Sequence, residues 1–130
     1  MNKYGNLVGR VLLAHIFLLA GISKITGYAA TQGYMEAMGV PGSLLPLVIA
    51  LEIGGAVALI VGWQPRLAAV ALAGFSLVSA VIFHADFADQ MQMIMFMKNV
   101  AIAGGLVLLA TQGAKDTISV DGRLRAAHVH

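Results

Sequence analysis

The stretch 44–83, LLPLVIALEIGGAVALIVGWQPRLAAVALAGFSLVSAVIF, decides the fold. It holds two apolar runs, Leu44–Val61 and Leu67–Phe83, with Glu52 and Arg66 as the sole acidic and basic residues. Each run approaches the ~20 residues that carry a helix across a ~30 Å hydrocarbon core. Between them, Gly62-Trp63-Gln64-Pro65-Arg66 supplies a helix stop, an interfacial aromatic ring and a restart. The pattern predicts an antiparallel pair of membrane-spanning helices. Ser43 is the expected N-cap of the first, with Pro46 tolerated in its first turn.

Two further apolar runs flank this pair, Leu7–Ile22 and Ile94–Ala110. Composition agrees. Hydrophobic residues make up 59% of the 130 and charged residues 11%, against roughly 45–50% and about 25% in soluble domains. Fourteen charged side chains cannot cover a small water-soluble domain, and so much apolar surface excludes disorder. The net charge is only +2, and the basic residues are scattered rather than gathered on a face, which excludes a nucleic-acid partner. With no cysteine, disulfides, thiolate nucleophiles and iron–sulfur ligation are excluded.

The expected fold is therefore an all-α integral membrane four-helix bundle embedded in the lipid bilayer. Its spans lie at about 7–24, 44–62, 67–84 and 92–110. One transmembrane domain covers residues 1–112, and residues 113–130 form a polar, loosely ordered tail. His15 interrupts the first run and Lys24 follows it, so this span is expected to be retained rather than cleaved as a signal peptide. Residues 29–38, halted by Gly39 and Pro41, predict a short interfacial helix between spans one and two. Tyr28, Tyr34, Met35 and Met38 suit the membrane boundary there.

Four spans place Lys3, Arg10, Arg66, Lys115, Arg123 and Arg125 on one side, and Lys24, Glu36, Asp86 and Asp89 on the other. The excess of basic residues predicts cytoplasmic termini and outer first and third connections. Arg10 sits within snorkelling reach of the cytoplasmic face.

Ionisable side chains at membrane depth are costly and mark candidate sites. Lys24 and His84 fall at the outer ends of spans one and three. Glu52 lies about 12 Å into span two and Lys98 about 6 Å into span four, at 1.5 Å per residue. The stripes carrying Lys24, Glu52 and Lys98 contain glycine or alanine (Ala14 and Gly21; Gly55 and Ala56; Ala101 and Gly105), which favours close helix contacts. Helical phase therefore turns Lys24, Glu52, His84 and Lys98 inward and predicts a buried polar cluster, with Glu52 paired to Lys98 or Lys24 and Asn99 nearby. Such a pair either fixes helix register or handles a ligand or protons.

No metal site is expected. The methionines at 91, 93, 95 and 97, with His84 nearby, could offer soft ligands to copper(I), but alternate positions on a helix point around its circumference. A haem held by His15 and His84 fails on depth, since they lie about 12 Å and about 25 Å from the inner edge.

In several segments the chain resembles the DoxX family of small bacterial inner-membrane proteins, closest to its uncharacterised enterobacterial branch. They are Gly21-Ile22-Ser23-Lys24-Ile25-Thr26-Gly27-Tyr28, Tyr34 to Pro41, Leu51-Glu52-Ile53-Gly54-Gly55, Gly62 to Arg66, Phe83-His84 and Phe96-Met97-Lys98-Asn99. The resemblance implies a multi-pass bundle in the bacterial inner membrane. It also implies a redox link, because some relatives are subunits of a terminal quinol oxidase or of a thiosulfate:quinone oxidoreductase.

Three functions stay open on this reading. The first is an accessory subunit that binds a quinone and serves a membrane redox partner, with Lys98 or His84 on a quinone carbonyl and Glu52 handling protons. The second is a non-enzymatic scaffold or stress-related protein, self-associating or not. The third, a small-molecule or ion pathway, is disfavoured by the absence of broken helices and repeats. No cofactor is evident in the sequence itself, and no self-contained catalytic apparatus.

Overall fold

The computed structural model describes residues 3–84, 86–112 and 119–129. The helices are α1 (Lys3–Thr26), α2 (Tyr28–Ala37), α3 (Leu45–Val61), α4 (Pro65–Phe83), α5 (Gln90–Gln112) and α6 (Val120–Val129), with a 3₁₀ turn at Gly42–Leu44 before α3. No strand occurs among the described residues. Four segments are long and apolar enough to cross a bilayer: Tyr4–Thr26, Gly42–Val61, Pro65–Phe83 and Gln90–Gln112. These are the four expected spans, within a few residues at each end.

Local chemistry sets the helix boundaries. Pro65 opens α4 from its first turn, where the missing N–H costs nothing. Gly62 closes α3 in the left-handed region at φ +73°, and its N–H returns to Ala58 O at 2.9 Å. A side chain at Gly62 would also run into Arg10 and Ser119, so glycine is required there twice over. Asp89 caps α5 by accepting from Met91 N at 2.9 Å. Ser43 does not cap α3: it sits inside the 3₁₀ turn, Leu44 occupies the cap position, and no side chain bonds there. Pro46 lies in the first turn as expected.

Helix α1 packs on α3, α3 on α4, and α4 on α5, while α1 and α5 touch sparingly. The chain thus runs round the bundle with one loose seam. The start of α1, helix α6 and the α3–α4 turn lie at one end, here the tail end. Helix α2 and the α4–α5 connection lie at the other, the α2 end.

The apolar core gathers Ala14, Phe17, Ala56, Leu59, Leu72 and Leu106, together with Ala69 and Leu109. It fills the tail-end half. Small residues alternate with leucine there, which lets helices approach closely while retaining dispersion contacts. Outward faces carry exposed leucine, valine and isoleucine, as lipid contact demands.

Two expectations need correction at the tail end. Arg10 does not snorkel to the surface. It is 0% exposed, and its guanidinium donates to Asn6 Oδ1 (2.8 Å), Leu59 O (3.0 Å) and Ile60 O (3.2 Å). The last turn of α3 leaves carbonyls without intrahelical partners, and a buried cation from α1 satisfies two of them. Nor is the tail simply loose. Residues 113–118 lie outside the described residues, but α6 is a helix, with Ser119 Oγ accepting from Gly122 N at 2.8 Å. It docks on the α3–α4 turn: Asp121 N donates to Gly62 O (3.0 Å), and Gln64 N donates to Asp121 Oδ1 (3.2 Å). Lys115 and His130 lie outside the described residues.

Candidate functional site

The α2 half is hollow. A cavity of about 520 Å³ lies between the helices, within the range of small-molecule sites. Its apolar walls include Phe17, Val48, Phe75, Ile82 and Ile102. Helix α2 roofs it through Thr31, Tyr34 and Met35. The Tyr34 ring stacks on Phe83 with centroids 5.4 Å apart, and Met35 is buried. The short helix expected between spans one and two is present, and it folds onto the bundle end. Tyr28 and Met38 remain exposed, in keeping with a boundary position.

Lys24 and Glu52 meet in this cavity because α1 and α3 come close at Gly21. A Cβ on Gly21 would collide with Ile53 and stand 3.5 Å from Glu52 Cβ. Lys24, one turn beyond Gly21, then reaches across: its Nζ lies 2.7 Å from Glu52 Oε1. The Glu52 side chain is 3% exposed and that of Lys24 26%. Among the described residues no hydrogen-bond partner besides Lys24 reaches that buried oxygen.

His84 and Asn99 line the same cavity from α4 and α5. His84 Nδ1 lies 2.8 Å from Gln92 Oε1; an amide oxygen accepts, so the ring donates in this contact and Nε2 is its second nitrogen. Asn99 Nδ2 donates to Ser76 O at 3.3 Å, tying α5 to α4 at mid-cavity.

Of the five residues expected to cluster, the structure brings together Lys24, Glu52, His84 and Asn99 and leaves out Lys98. Lys98 is exposed on α5 and does not line the cavity. Asn99, its neighbour, takes the inward position, and one residue turns a helix by about 100°. The Glu52 partner is therefore Lys24, one of the two expected. Of the four methionines of α5, Met95 reaches the cavity, and all four are exposed. His15 is exposed on α1, with Nδ1 against Leu12 O of the preceding turn.

Sequence reasoning missed Ser79, Gln92 and the roof. The hydroxyls of Ser76 and Ser79 interrupt an apolar span, a signal that was there to be used. Gln92 carries no such signal, because its meeting with His84 depends on how the α4–α5 connection folds.

These features define a class, a helical multi-span membrane protein with a roofed intramembrane cavity around an ion pair. The chain belongs to the DoxX family, whose model matches residues 5–85. That match contains Lys24, Glu52 and His84 and ends before α5. The chain is similar to two Escherichia coli (strain K12) proteins. Inner membrane protein YqjF is 54% identical over 113 residues, covering 87% of each chain. Inner membrane protein YphA is 36% identical over 124 residues, 90% of this chain and 88% of that one. No solved structure matches significantly.

Proposed function

We propose that this DoxX-family protein is an inner-membrane accessory subunit that holds a quinone in the α2-half cavity on behalf of a redox partner. The observation that carries this reading is the Lys24–Glu52 pair: a nearly buried carboxylate with one partner, at the edge of a ligand-sized apolar cavity. A buried ion pair kept only for register gains from having its remaining lone pairs bonded. Among the described residues Lys24 alone reaches Glu52 Oε1, and the cavity lies beside the pair.

The residues fit a quinone. A bound quinone supplies a two-electron, two-proton carrier. Phe17, Phe75 and Ile82 line the cavity and would give such a ring apolar contact and exclude water. Lys24 has two N–H donors beyond the one engaged by Glu52, suited to a carbonyl oxygen. Glu52 is an acceptor for a proton and, once protonated, a donor. His84 offers Nε2 as a second polar contact.

The relatives named as inner membrane proteins support placement in that membrane. The basic residues Lys3, Arg66, Arg123 and Arg125 at the tail end support cytoplasmic termini and a cavity in the outer half. A periplasm-active reporter fused after His130 should be silent.

Binding of decylubiquinone to the purified protein tests the site. Glu52→Gln and Lys24→Met should each weaken binding by about tenfold or more, the worth of one lost charge-assisted hydrogen bond, while the protein stays folded and membrane-inserted. If both variants disappear from the membrane, the pair serves stability and the scaffold reading gains.

A further inference from the structure

We infer that the cavity takes its ligand from the bilayer through the seam between α1 and α5, so that the ligand is a small polar head on a long hydrocarbon or isoprenoid chain. The inference rests on the proposed binding site and adds a route and a shape to it.

Three observations converge on that seam. Helices α1 and α5 make the sparsest contact of any neighbouring pair of spans. Their contact lies deep: a Cβ on Gly105 would stand 3.2 Å from Leu13 Cδ2. One turn nearer the α2 end, Ile16 and Ile102 both line the cavity. At 1.5 Å per residue they lie about 15 Å below Thr26 and about 18 Å below Gln90, at nearly the same depth. The two helices thus meet at Leu13 and Gly105 and flank the cavity above that point.

The alternative entrance is roofed. Tyr34 stacks on Phe83, Met35 is buried, and Gln32 Nε2 donates to Gly42 O at 3.2 Å, fastening α2 to the start of the second span. A water-soluble ligand would have to lift this roof. A lipid-borne one faces a loose seam whose flanks (Ile16, Ala20, Met95 and Ile102) are apolar. The polar groups, Lys24, Glu52 and His84, lie toward the roof, while Ile16 and Ile102 lie deeper. A head bound beside the ion pair therefore sends its chain down and out between α1 and α5, into surroundings as apolar as the lipid it left.

Because the chain has no cysteine, Ile16→Cys with Ile102→Cys places the only two thiols across the seam. The double variant, purified in nanodiscs, is closed after folding with a short bismaleimide. Binding of 2,3-dimethoxy-5-methyl-benzoquinone, which has no tail, is compared with that of decylubiquinone before and after closure. Partition into lipid is the same in both states and cancels. Closure should weaken the tailed molecule relative to the tailless one by about tenfold or more, a steric cost of roughly 1.4 kcal/mol. Equal losses for both molecules, or no loss for either, would overturn the seam route while leaving the binding site standing. If the unmodified protein binds neither molecule, the site reading fails and the seam inference fails with it.

Discussion

In the tail-end half of the bundle, Arg10 is fully buried and still donates to Asn6 Oδ1 and to the carbonyls of Leu59 and Ile60. In the α2 half, Glu52 is almost as deeply buried, and among the described residues Lys24 alone reaches its Oε1. Arg10 is enclosed by Asn6, by the last turn of α3 and by the Gly62 turn on which α6 docks. Around Glu52 there is a cavity of about 520 Å³. The same physical problem, a charge inside apolar helices, is closed in one half and left open in the other. A group whose partners are all internal stabilises the fold. A group left with capacity to spare beside empty volume is where a ligand gains most.

The largest expected effect breaks the closed half. Arg10→Met removes the cation and leaves the Leu59 and Ile60 carbonyls without their donor, with Asn6 losing an anchor. Unfolding in detergent should show a loss of about 2–4 kcal/mol, from two to three buried groups losing their partner. Decylubiquinone affinity should stay within about twofold, because the site lies in the other half. Glu52→Gln should show the converse, a large loss of binding and a smaller loss of stability. If Glu52→Gln proves the more destabilising of the two, the contrast between the halves is wrong.

A smaller effect is expected at the α6 dock. Asp121→Ala deletes the acceptor of Gln64 N, an exposed hydrogen bond worth at most about 1 kcal/mol. Global stability should barely move. Trp63, the sole tryptophan, sits between Gly62 and Gln64 in the turn that α6 grips. Its emission should therefore shift, and limited proteolysis should reach α6 sooner. An unchanged spectrum and cleavage pattern would show that the docking does not depend on this carboxylate.

How much of this was legible in the sequence follows from which interactions are local. The four spans, the Gly62–Pro65 turn and the short helix after span one are written in runs, breakers and caps within a few residues of each other. Helical phase turned Lys24, Glu52 and His84 inward, and all three line the cavity; Asn99 was expected only as a neighbour of the cluster. Phase failed where a stripe has two plausible insides. Small residues such as Ala101 and Gly105 drew Lys98 inward on paper, whereas α5 turns Asn99 to the cavity. Arg10 was misplaced for another reason. Apart from the local Asn6, it donates to backbone carbonyls on α3 some fifty positions away, and carbonyls have no signature in side-chain identity. The cavity itself was invisible, because emptiness depends on how far apart α1 and α5 stand, and no local pattern sets that distance.

Lys98 supplies the finest test of the open half, because it differs from Asn99 by a single helical step. Lys98 is exposed on α5 and outside the cavity lining, a position from which a lysine lays its stem along apolar surface and carries its ammonium toward the headgroups. Nothing in the cavity depends on it in that position. Lys98→Met keeps the stem length and removes only the charge, so stability should change by no more than about 0.5 kcal/mol, and quinone binding should be unaffected. Asn99→Leu, one position on, removes the hydrogen bond to Ser76 O inside the cavity and should cost about 1 kcal/mol. Melting curves and decylubiquinone titrations on the two variants side by side read the phase of α5 directly. A binding loss in Lys98→Met as large as that of Glu52→Gln would turn the helix by one residue, return Lys98 to Glu52, and erase the distinction between the exposed cation and the buried pair.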